Sequence, residues 1–328
     1  MKIYGDFEIE YGVPENAEPC EKFFDTDMSC GTGIGLGNFD GVHRGHASLI
    51  DTLADECRKR SLLSVVYTFS DHPNKILFKD RETPVIMTVA QKSEIFARKG
   101  IDVSYFELFD EEYANLHAEE FIEEYLVKKF NAKLIVVGHN YSFGRKGLGT
   151  PALLKEFGKK FGFDVIVVPP VMEDENVISS TLLRSFIRDG RMKKYRKFTG
   201  RYYSIPGEVA VGRKVGHELG FPTANIMPQK GFALPLSGVY ASKTVIDGKV
   251  YDGITNIGNN PTFDGIKDIT VETHIFDYNC ELYGKNIEVF FVDMIRGECR
   301  FKNAEELIDQ IRCDIKNARK ILVKKNDI

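Results

Sequence analysis

Between residues 30 and 168 the chain alternates short apolar runs with segments whose apolar residues recur every three or four positions. The runs cover residues 30–36, 62–69, 102–106, 133–138 and 164–168, each short enough for a buried strand. The intervening segments predict helices over 47–57, 89–98, 118–130 and 151–160. In the first of these Leu49, Ile50, Leu53, Ala54 and Cys57 share a face, and in the third Phe121, Ile122, Tyr125 and Leu126 point inward. Continuously apolar strands separated by amphipathic helices predict a parallel sheet covered on both faces. Ligands of such sheets sit beyond the carboxyl ends of the strands, so the loops that follow the strands are the ones to inspect. Residues 1–29 are polar and acidic and predict a short strand or two ahead of this sheet.

Beyond residue 200 the helical alternation stops. Residues 203–211, 238–246, 250–255, 269–276 and 287–294 read as strands separated by turns such as Asp247-Gly248, which predicts a small closed barrel. One long helix follows, with Asn303 as its cap, Glu306 at the capping-box position, and Leu307, Ile311, Ile315, Ala318 and Leu322 along its apolar face. The basic run Arg188, Arg191, Lys193, Lys194, Arg196 and Lys197 stands between the two textures and reads as a solvated helix or linker rather than a nucleic-acid patch. A chain of 328 residues holds two cores comfortably, and the expected domains are 1–186 and 187–328.

The loop after the first strand carries the clearest chemistry: Gly37-Asn38-Phe39-Asp40-Gly41-Val42-His43-Arg44-Gly45-His46. Two histidines three apart stand at a helix entrance, where free N–H groups and the helix dipole favour phosphate. Gly45 between them lets a ligand approach the backbone. Alone, His-x-x-His is more often a surface pair or half a metal site. Gly31, Gly33, Gly35 and Gly37 suggest a dinucleotide fingerprint, but their spacing never gives G-x-G-x-x-G. Ser70-Asp71-His72-Pro73 follows the second strand, and residues 139–147, which include Asn140, follow the fourth. After the fifth comes Ile178-Ser179-Ser180-Thr181-Leu182-Leu183-Arg184, in which Ser180 is placed to cap a helix and Arg184 to share its face.

This set of segments resembles the FAD synthetase branch of the HxGH nucleotidyltransferases, which carries the same ten-residue loop, a His-Pro loop, an Asn-aromatic-x-Phe-Gly loop and an Ile-Ser-Ser-Thr-x-x-Arg segment in this order. The resemblance implies that His43 and His46 contact ATP phosphates, within a loop that includes Gly37, Phe39, Asp40 and Gly45. It implies that Ser180, Thr181 and Arg184 complete the phosphate clamp, with Arg184 counted as catalytic, and that Asn140 lies near nucleotide and flavin. Ser142 departs from the family, which often has Arg there.

Within the barrel region, residues 212–225 run from Gly212-Arg213-Lys214 through His217 to Gly220-Phe221-Pro222-Thr223-Ala224-Asn225. Such a segment suits a loop over phosphates, with Thr223 and Asn225 offering neutral oxygens to Mg²⁺, or equally a glycine-rich hairpin. Glu272, in Val271-Glu272-Thr273-His274, is either an outward strand residue or a base beside a hydroxyl, and pattern does not separate the two. These segments, with Gly238-Val239-Tyr240-Ala241 and residues 256–263, resemble riboflavin kinase in its order. That resemblance implies that Thr223 and Asn225 hold Mg²⁺ and ATP phosphate, that Gly212, Gly220 and Pro222 belong to the ATP and flavin site, and that Glu272 is the base. His217 and Tyr202 depart mildly from it.

Composition narrows the partners. Net charge is −4 with basic residues scattered, which argues against nucleic acid. No apolar run is long enough to span a bilayer, and the N-terminus has acids where a signal peptide has an apolar stretch. The six cysteines form no CxxC pair, which fits reduced thiols and a cytoplasmic setting. The expected protein is therefore a two-activity enzyme of flavin cofactor synthesis. It would have riboflavin, FMN and ATP as small-molecule substrates and Mg²⁺ as cofactor, with self-association left open. A class I aminoacyl-tRNA ligase would add an anticodon-binding region and a Lys-Met-Ser-Lys-Ser-type loop, and neither is present. A non-catalytic flavin-binding module would have lost the reactive residues that stand here.

Overall fold

The structure is a computed structural model that describes residues 1–7, 12–80, 83–212, 216, 219–261 and 267–323. Arg213, Lys214, His217, Thr262 and Phe263, all singled out from the sequence, lie outside the described residues. Two compact units comprise Met1–Ser180 and Thr181–Ile328.

The first unit is built on a parallel sheet. Its strands are β1 (Lys2–Gly5), β2 (Ala17–Glu18), β3 (Thr32–Leu36), β4 (Leu63–Phe69), β5 (Val103–Glu107), β6 (Ala132–Gly138) and β7 (Asp164–Val168). Their order is β2-β1-β5-β4-β3-β6-β7, so β3 is interior and the chain reverses its direction of travel between β3 and β6. Helices α1 (Arg44–Arg60) and α3 (Val89–Arg98) match the predicted helices, and the five residues expected on the inner face of α1 are all buried. Short helices α2 (Asn74–Leu77) and α4 (Glu111–Ala114) occupy connections left unassigned from sequence.

The alternating glycines of β3 now have a reason. A Cβ at Gly33 would lie 2.2 Å from the Cys57 sulfur, and one at Gly35 would lie 2.9 Å from Leu53. They let α1 lie close against the sheet. On the opposite face Ile34, Leu36, Val65, Tyr67, Val103, Tyr105, Ile135 and Val137 pack under Phe121, Ile122, Leu126 and Phe130. The helix that carries those residues starts as α5 (Ala118–Glu120) and runs on as a π-helix over Phe121–Lys129, and Tyr125 is half-buried rather than fully inward. Helix α6 (Pro151–Phe161) covers the same face, and β8 (Met172–Glu173) pairs with β9 (Asn176–Val177) as a short hairpin after β7.

Helix α7 (Ser180–Arg188) leads to the second unit. The basic run forms α8 (Met192–Thr199), an amphipathic helix with Met192, Tyr195 and Phe198 buried, so this stretch is not a linker. The barrel is closed, in the order β10-β11-β14-β13-β12-β15. Its strands are β10 (Tyr203–Ala210), β11 (Ala224–Met227), β12 (Gly238–Ile246), β13 (Lys249–Pro261), β14 (Lys267–Ile275) and β15 (Asn286–Gly297). Strand β11 was expected as loop: at four residues, directly after a glycine- and proline-containing segment, it is too short for a period-2 signal. Three buried hydroxyls on the barrel strands form a chain, with Thr255 2.7 Å from Ser242 and 2.9 Å from Thr273, donating to one and accepting from the other. Helix α9 (Ala304–Leu322) lies on the outer wall, its Ala318 and Leu322 packed with Val239, Ala241, Ile254 and Val292. Asn303 caps it as expected, but Glu306 accepts from the Lys302 N–H (3.0 Å), one residue ahead of the capping-box donor.

The close approach of α1 predicts that Gly33→Ala destabilises the protein by ~1–3 kcal/mol through overpacking. The double variant with Cys57→Ala should recover part of that loss; denaturant unfolding measures both.

Candidate active sites

In the first unit, the turn from β3 into α1 is sharply left-handed: Phe39, Gly41 and Val42 have φ of 49°, 79° and 29°. Such angles are unfavourable for Phe and strongly so for β-branched Val, so the turn must be held from outside. The Phe39 ring is fully buried, edge-on to Phe96 and His46. The buried Asp40 carboxylate accepts from the N–H groups of Ile86 (3.0 Å) and Met87 (3.2 Å), and the Asp40 carbonyl accepts from the Ser180 hydroxyl (2.7 Å). Thr68 donates to the Asn38 carbonyl at 3.0 Å. Phe39 and Asp40, expected on sequence to line the ATP loop, lie beneath it and shape it.

His43 is the N-cap of α1, its Nδ1 accepting from the His46 N–H at 3.2 Å. An accepting Nδ1 carries no proton, so neutral His43, which is buried, is protonated at Nε2. The His46 ring stacks on His43 with centroids 3.7 Å apart. Gly45 leaves room for this, since a Cβ there would lie 3.1 Å from the His43 ring. Gly37 similarly faces the Phe39 ring, 3.0 Å from its would-be Cβ.

Ser180 is the first residue of α7, and its hydroxyl is spent as a donor to Asp40 rather than waiting ahead of the helix as a cap. Thr181 is exposed, and Arg184 follows Ser180 by four residues on the same helix. Asn140 and His139 are exposed in the loop after β6. Two features of this end escaped the sequence reading. Phe69 packs edge-to-face on Phe109 and Tyr113, which are tilted against each other, where β4 and β5 end, a cluster recognisable only once the sheet brings them together. Glu107 closes β5 and accepts from the Tyr67 hydroxyl at 2.8 Å; burial lifts its carboxyl above the usual range, opposed by Lys129 and by Tyr67.

In the second unit, register does the assembling. Asn225 on β11 and Asn256 on β13 both pair with Glu272 on β14, so the three side chains form a row across one face of three neighbouring strands. That face is the outer wall beneath α9. Glu272 is half-buried there and lines a cavity of about 550 Å³ bounded by Val239 and Ile254 of the barrel and Leu307 and Ile311 of α9, with Thr223, Asn256, His274, Glu298 and Arg300 also on its wall. Glu272 is thus an outward strand residue, but what it faces is a cavity. A second cavity of about 350 Å³ is lined by Pro222, Thr223, Ala224 and residues 278–283, so Thr223 borders both.

Glycines again mark close approaches. A Cβ at Gly212 would lie 2.1 Å from the Asn225 amide, and Gly220 has φ of +85°. His274, quoted from sequence only as part of a motif, has Nδ1 2.9 Å from the Pro222 carbonyl, which requires Nδ1 to be the donor and ties β14 to the segment ahead of Thr223. At the cavity's far side Arg296 reaches the buried Asp314 of α9 through Nε (2.9 Å) and a second guanidinium nitrogen (2.9 Å). Among the described residues no cluster of His, Cys, Asp and Glu forms a metal centre. All six cysteines are free thiols.

The sheet with a His-x-Gly-His helix start at its reversal point, joined to a six-stranded barrel, defines a nucleotidyltransferase-type unit followed by a kinase-type barrel. The FAD synthetase family matches residues 26–182 and the riboflavin kinase family residues 199–322. The bifunctional riboflavin kinase/FMN adenylyltransferase of Buchnera aphidicola subsp. Schizaphis graminum is 36% identical over 296 residues, covering 89% of this chain and 95% of that protein. The protein of the same description from Escherichia coli K12 is 35% identical, covering 88% and 92%. A crystal structure from Streptococcus pneumoniae, described as a macrolide-efflux protein, is 34% identical with a TM-score of 0.81, covering 88% and 94%. No helix among the described residues here is long and apolar enough to cross a membrane. The chain belongs to the bifunctional riboflavin kinase/FMN adenylyltransferase family, with the FAD synthetase part first and the riboflavin kinase part second.

The geometry of Asp40 yields a prediction about folding rather than chemistry. Asp40→Ala leaves the Ile86 and Met87 N–H groups buried without their acceptor, and should cost ~1–3 kcal/mol. Chemical denaturation of the variant measures it.

Proposed function

We propose that residues 187–328 phosphorylate riboflavin to FMN with ATP, and that residues 1–186 join FMN to the adenylyl group of a second ATP. The observation that carries this reading is the pairing of Asn225 and Asn256 with Glu272 beside Thr223, the residue that borders both cavities. The larger cavity, apolar at its walls, suits the flavin ring; the smaller suits the nucleotide, so the two substrates meet at Thr223. The ribityl hydroxyl attacks the γ-phosphorus, the bond to the β–γ bridging oxygen breaks, and ADP leaves. Glu272 accepts the hydroxyl proton. His274 holds the Pro222 carbonyl and so fixes where Thr223 stands. Thr223 and Asn225 supply neutral oxygens in keeping with a hard cation whose remaining ligands are phosphate and water, and they would hold Mg²⁺. The ion would neutralise phosphate charge as ADP departs.

In the first unit an FMN phosphate oxygen attacks the α-phosphorus of ATP, the α–β bridging bond breaks and pyrophosphate leaves. The nucleophile is already an anion, so no base is needed and alignment carries the rate. His43 and His46 donate to the phosphates from the start of α1, whose free N–H groups add to the field. Ser180, Thr181 and Arg184 act with them, Arg184 as the cationic clamp. Asn140, together with the aromatic cluster at Phe69, Phe109 and Tyr113, lies near the flavin. The reading includes a cytoplasmic setting; it leaves self-association open, which light scattering would measure.

Incubating the full chain with riboflavin and Mg-ATP should give FMN and then FAD by chromatography, and a folded protein that makes neither would end the reading. His46→Ala should lower FAD formation from supplied FMN by ~10²-fold or more, the loss of one transition-state donor, and leave riboflavin phosphorylation near wild type. An equal loss in both assays would point to a folding defect or a single shared site. Glu272→Gln keeps shape and removes basicity, so kcat for riboflavin phosphorylation should fall by ~10²- to 10⁴-fold with ATP binding and FAD synthesis spared. Near-normal kinase turnover would return Glu272 to an ordinary wall residue.

A further inference from the structure

Lys92 is a buried charge that the two reaction schemes leave unused. It lies on α3 with 4% of its surface exposed. Its ammonium donates to the Phe69 carbonyl at the end of β4, 3.0 Å away, and stands 5.3 Å from the centre of the Phe106 ring. An ammonium has three donors, and among the described residues that carbonyl is its one hydrogen-bond acceptor. Burial pushes the group down to about 8, opposed by the charges of Asp40 and then Asp71. Asp40 gives its oxygens to Ile86 and Met87, and Asp71 accepts from the His72 N–H and from Lys75.

A buried ammonium so sparsely bonded is costly to fold around, and an apolar side chain of similar length would serve packing as well or better. Its address is what distinguishes it. Phe69 ends the strand that leads into Ser70-Asp71-His72-Pro73, Asp40 belongs to the histidine loop, and the neighbouring Thr68 holds Asn38 of that loop. The charge therefore lies at the ligand end of the sheet, behind the segment that carries His43 and His46. Out of bulk water its field is weakly screened.

We propose that Lys92 is a positioning residue for adenylyl transfer: a fixed positive charge behind the histidine loop that favours a polyphosphate in front of it. The inference rests on the assignment of adenylyl transfer to this unit, which the wild-type rate of FAD formation tests separately. In the full-length protein, Lys92→Met should lower FAD formation from FMN and ATP at pH 7 by ~10-fold or more, the equivalent of one lost electrostatic interaction. Its thermal midpoint should be unchanged or raised, and riboflavin phosphorylation in the same chain should be untouched. Lys92→Arg, which stays charged at high pH, should keep more of the rate. Wild-type FAD formation should decline as pH rises through about 8, where Lys92 loses its proton, and the arginine variant should lose that decline. The charges facing this group are Asp40 from the histidine loop and Asp71 from the loop after β4. A Lys92→Met chain that melts earlier or fails to fold would make Lys92 a structural cation and overturn the proposal. FAD formation at the wild-type rate in that variant would overturn it too, as would an alkaline decline that persists in Lys92→Arg.

Discussion

The first unit depends on one buried carboxylate. The path from β3 into α1 passes through three left-handed residues within four positions, Phe39, Gly41 and Val42. Left-handed φ at Phe and Val is of order 1–3 kcal/mol each, and such a turn persists only where its surroundings over-determine it. Asp40 provides that determination. Its side chain gathers the N–H groups of a segment 46 residues downstream, and its carbonyl receives a hydroxyl from 140 residues downstream. The loop bearing the histidines, the segment ahead of α3 and the start of α7 thereby become one object. The histidine pair inherits its geometry from this arrangement: His43 can cap α1 and His46 can stack on it only because the turn delivers the helix at that angle.

The barrel reaches a comparable result by register. A closed barrel has no sliding edge, and a one-residue slip would send every side chain to the other face. The alignment of Asn225, Glu272 and Asn256 is therefore fixed by the whole ring of strand pairs rather than by contacts among the three. What register cannot fix is the segment ahead of β11, which the His274 contact with Pro222 ties down. The Arg296–Asp314 pair does the same for α9, holding the opposite wall of the cavity against the strand end.

Much of this was legible in the sequence, for identifiable reasons. Periodicity located α3 and α6 within a residue and α1 within three residues at each end, because each carries an apolar stripe, and the Asn303 cap marked the start of α9. It missed β11 because four residues after Gly-Phe-Pro-Thr hold too little pattern, and it took α8 for a possible linker because six basic residues hide the buried Met192, Tyr195 and Phe198. The π-helical stretch at Phe121 leaves no mark, since its apolar spacing is compatible with an ordinary helix. The site was legible as motifs and illegible as roles. Nothing in Gly-Asn-Phe-Asp-Gly distinguishes residues that touch a ligand from those that hold the loop, and burial is what assigns Phe39 and Asp40 to the second group. Lys92 could not have been found at all, because a lysine within a helix is expected in water.

On the proposed reading, the two reactions ask for opposite electrostatics around the same end of the same molecule, which gives a physical reason for two separate sites. Riboflavin presents a neutral hydroxyl, and a carboxylate beside it assists proton removal. The transfer leaves Glu272 protonated; once it has given that proton up to solvent, its carboxylate stands next to a dianion and repels it, so Glu272 favours departure of the product it helped to make. The second reaction needs the same phosphate as its nucleophile. A site for it must attract the dianion alongside the triphosphate of ATP, and an acidic residue in Glu272's relation to the ribityl end would oppose binding of both. Imidazole donors, a helix N-terminus and buried or clamping cations are what such a site requires. Single-site catalysis of both steps would call for a base that reversed its charge between turnovers. Placing Glu272 on a barrel wall and His43 and His46 on a helix start removes that conflict.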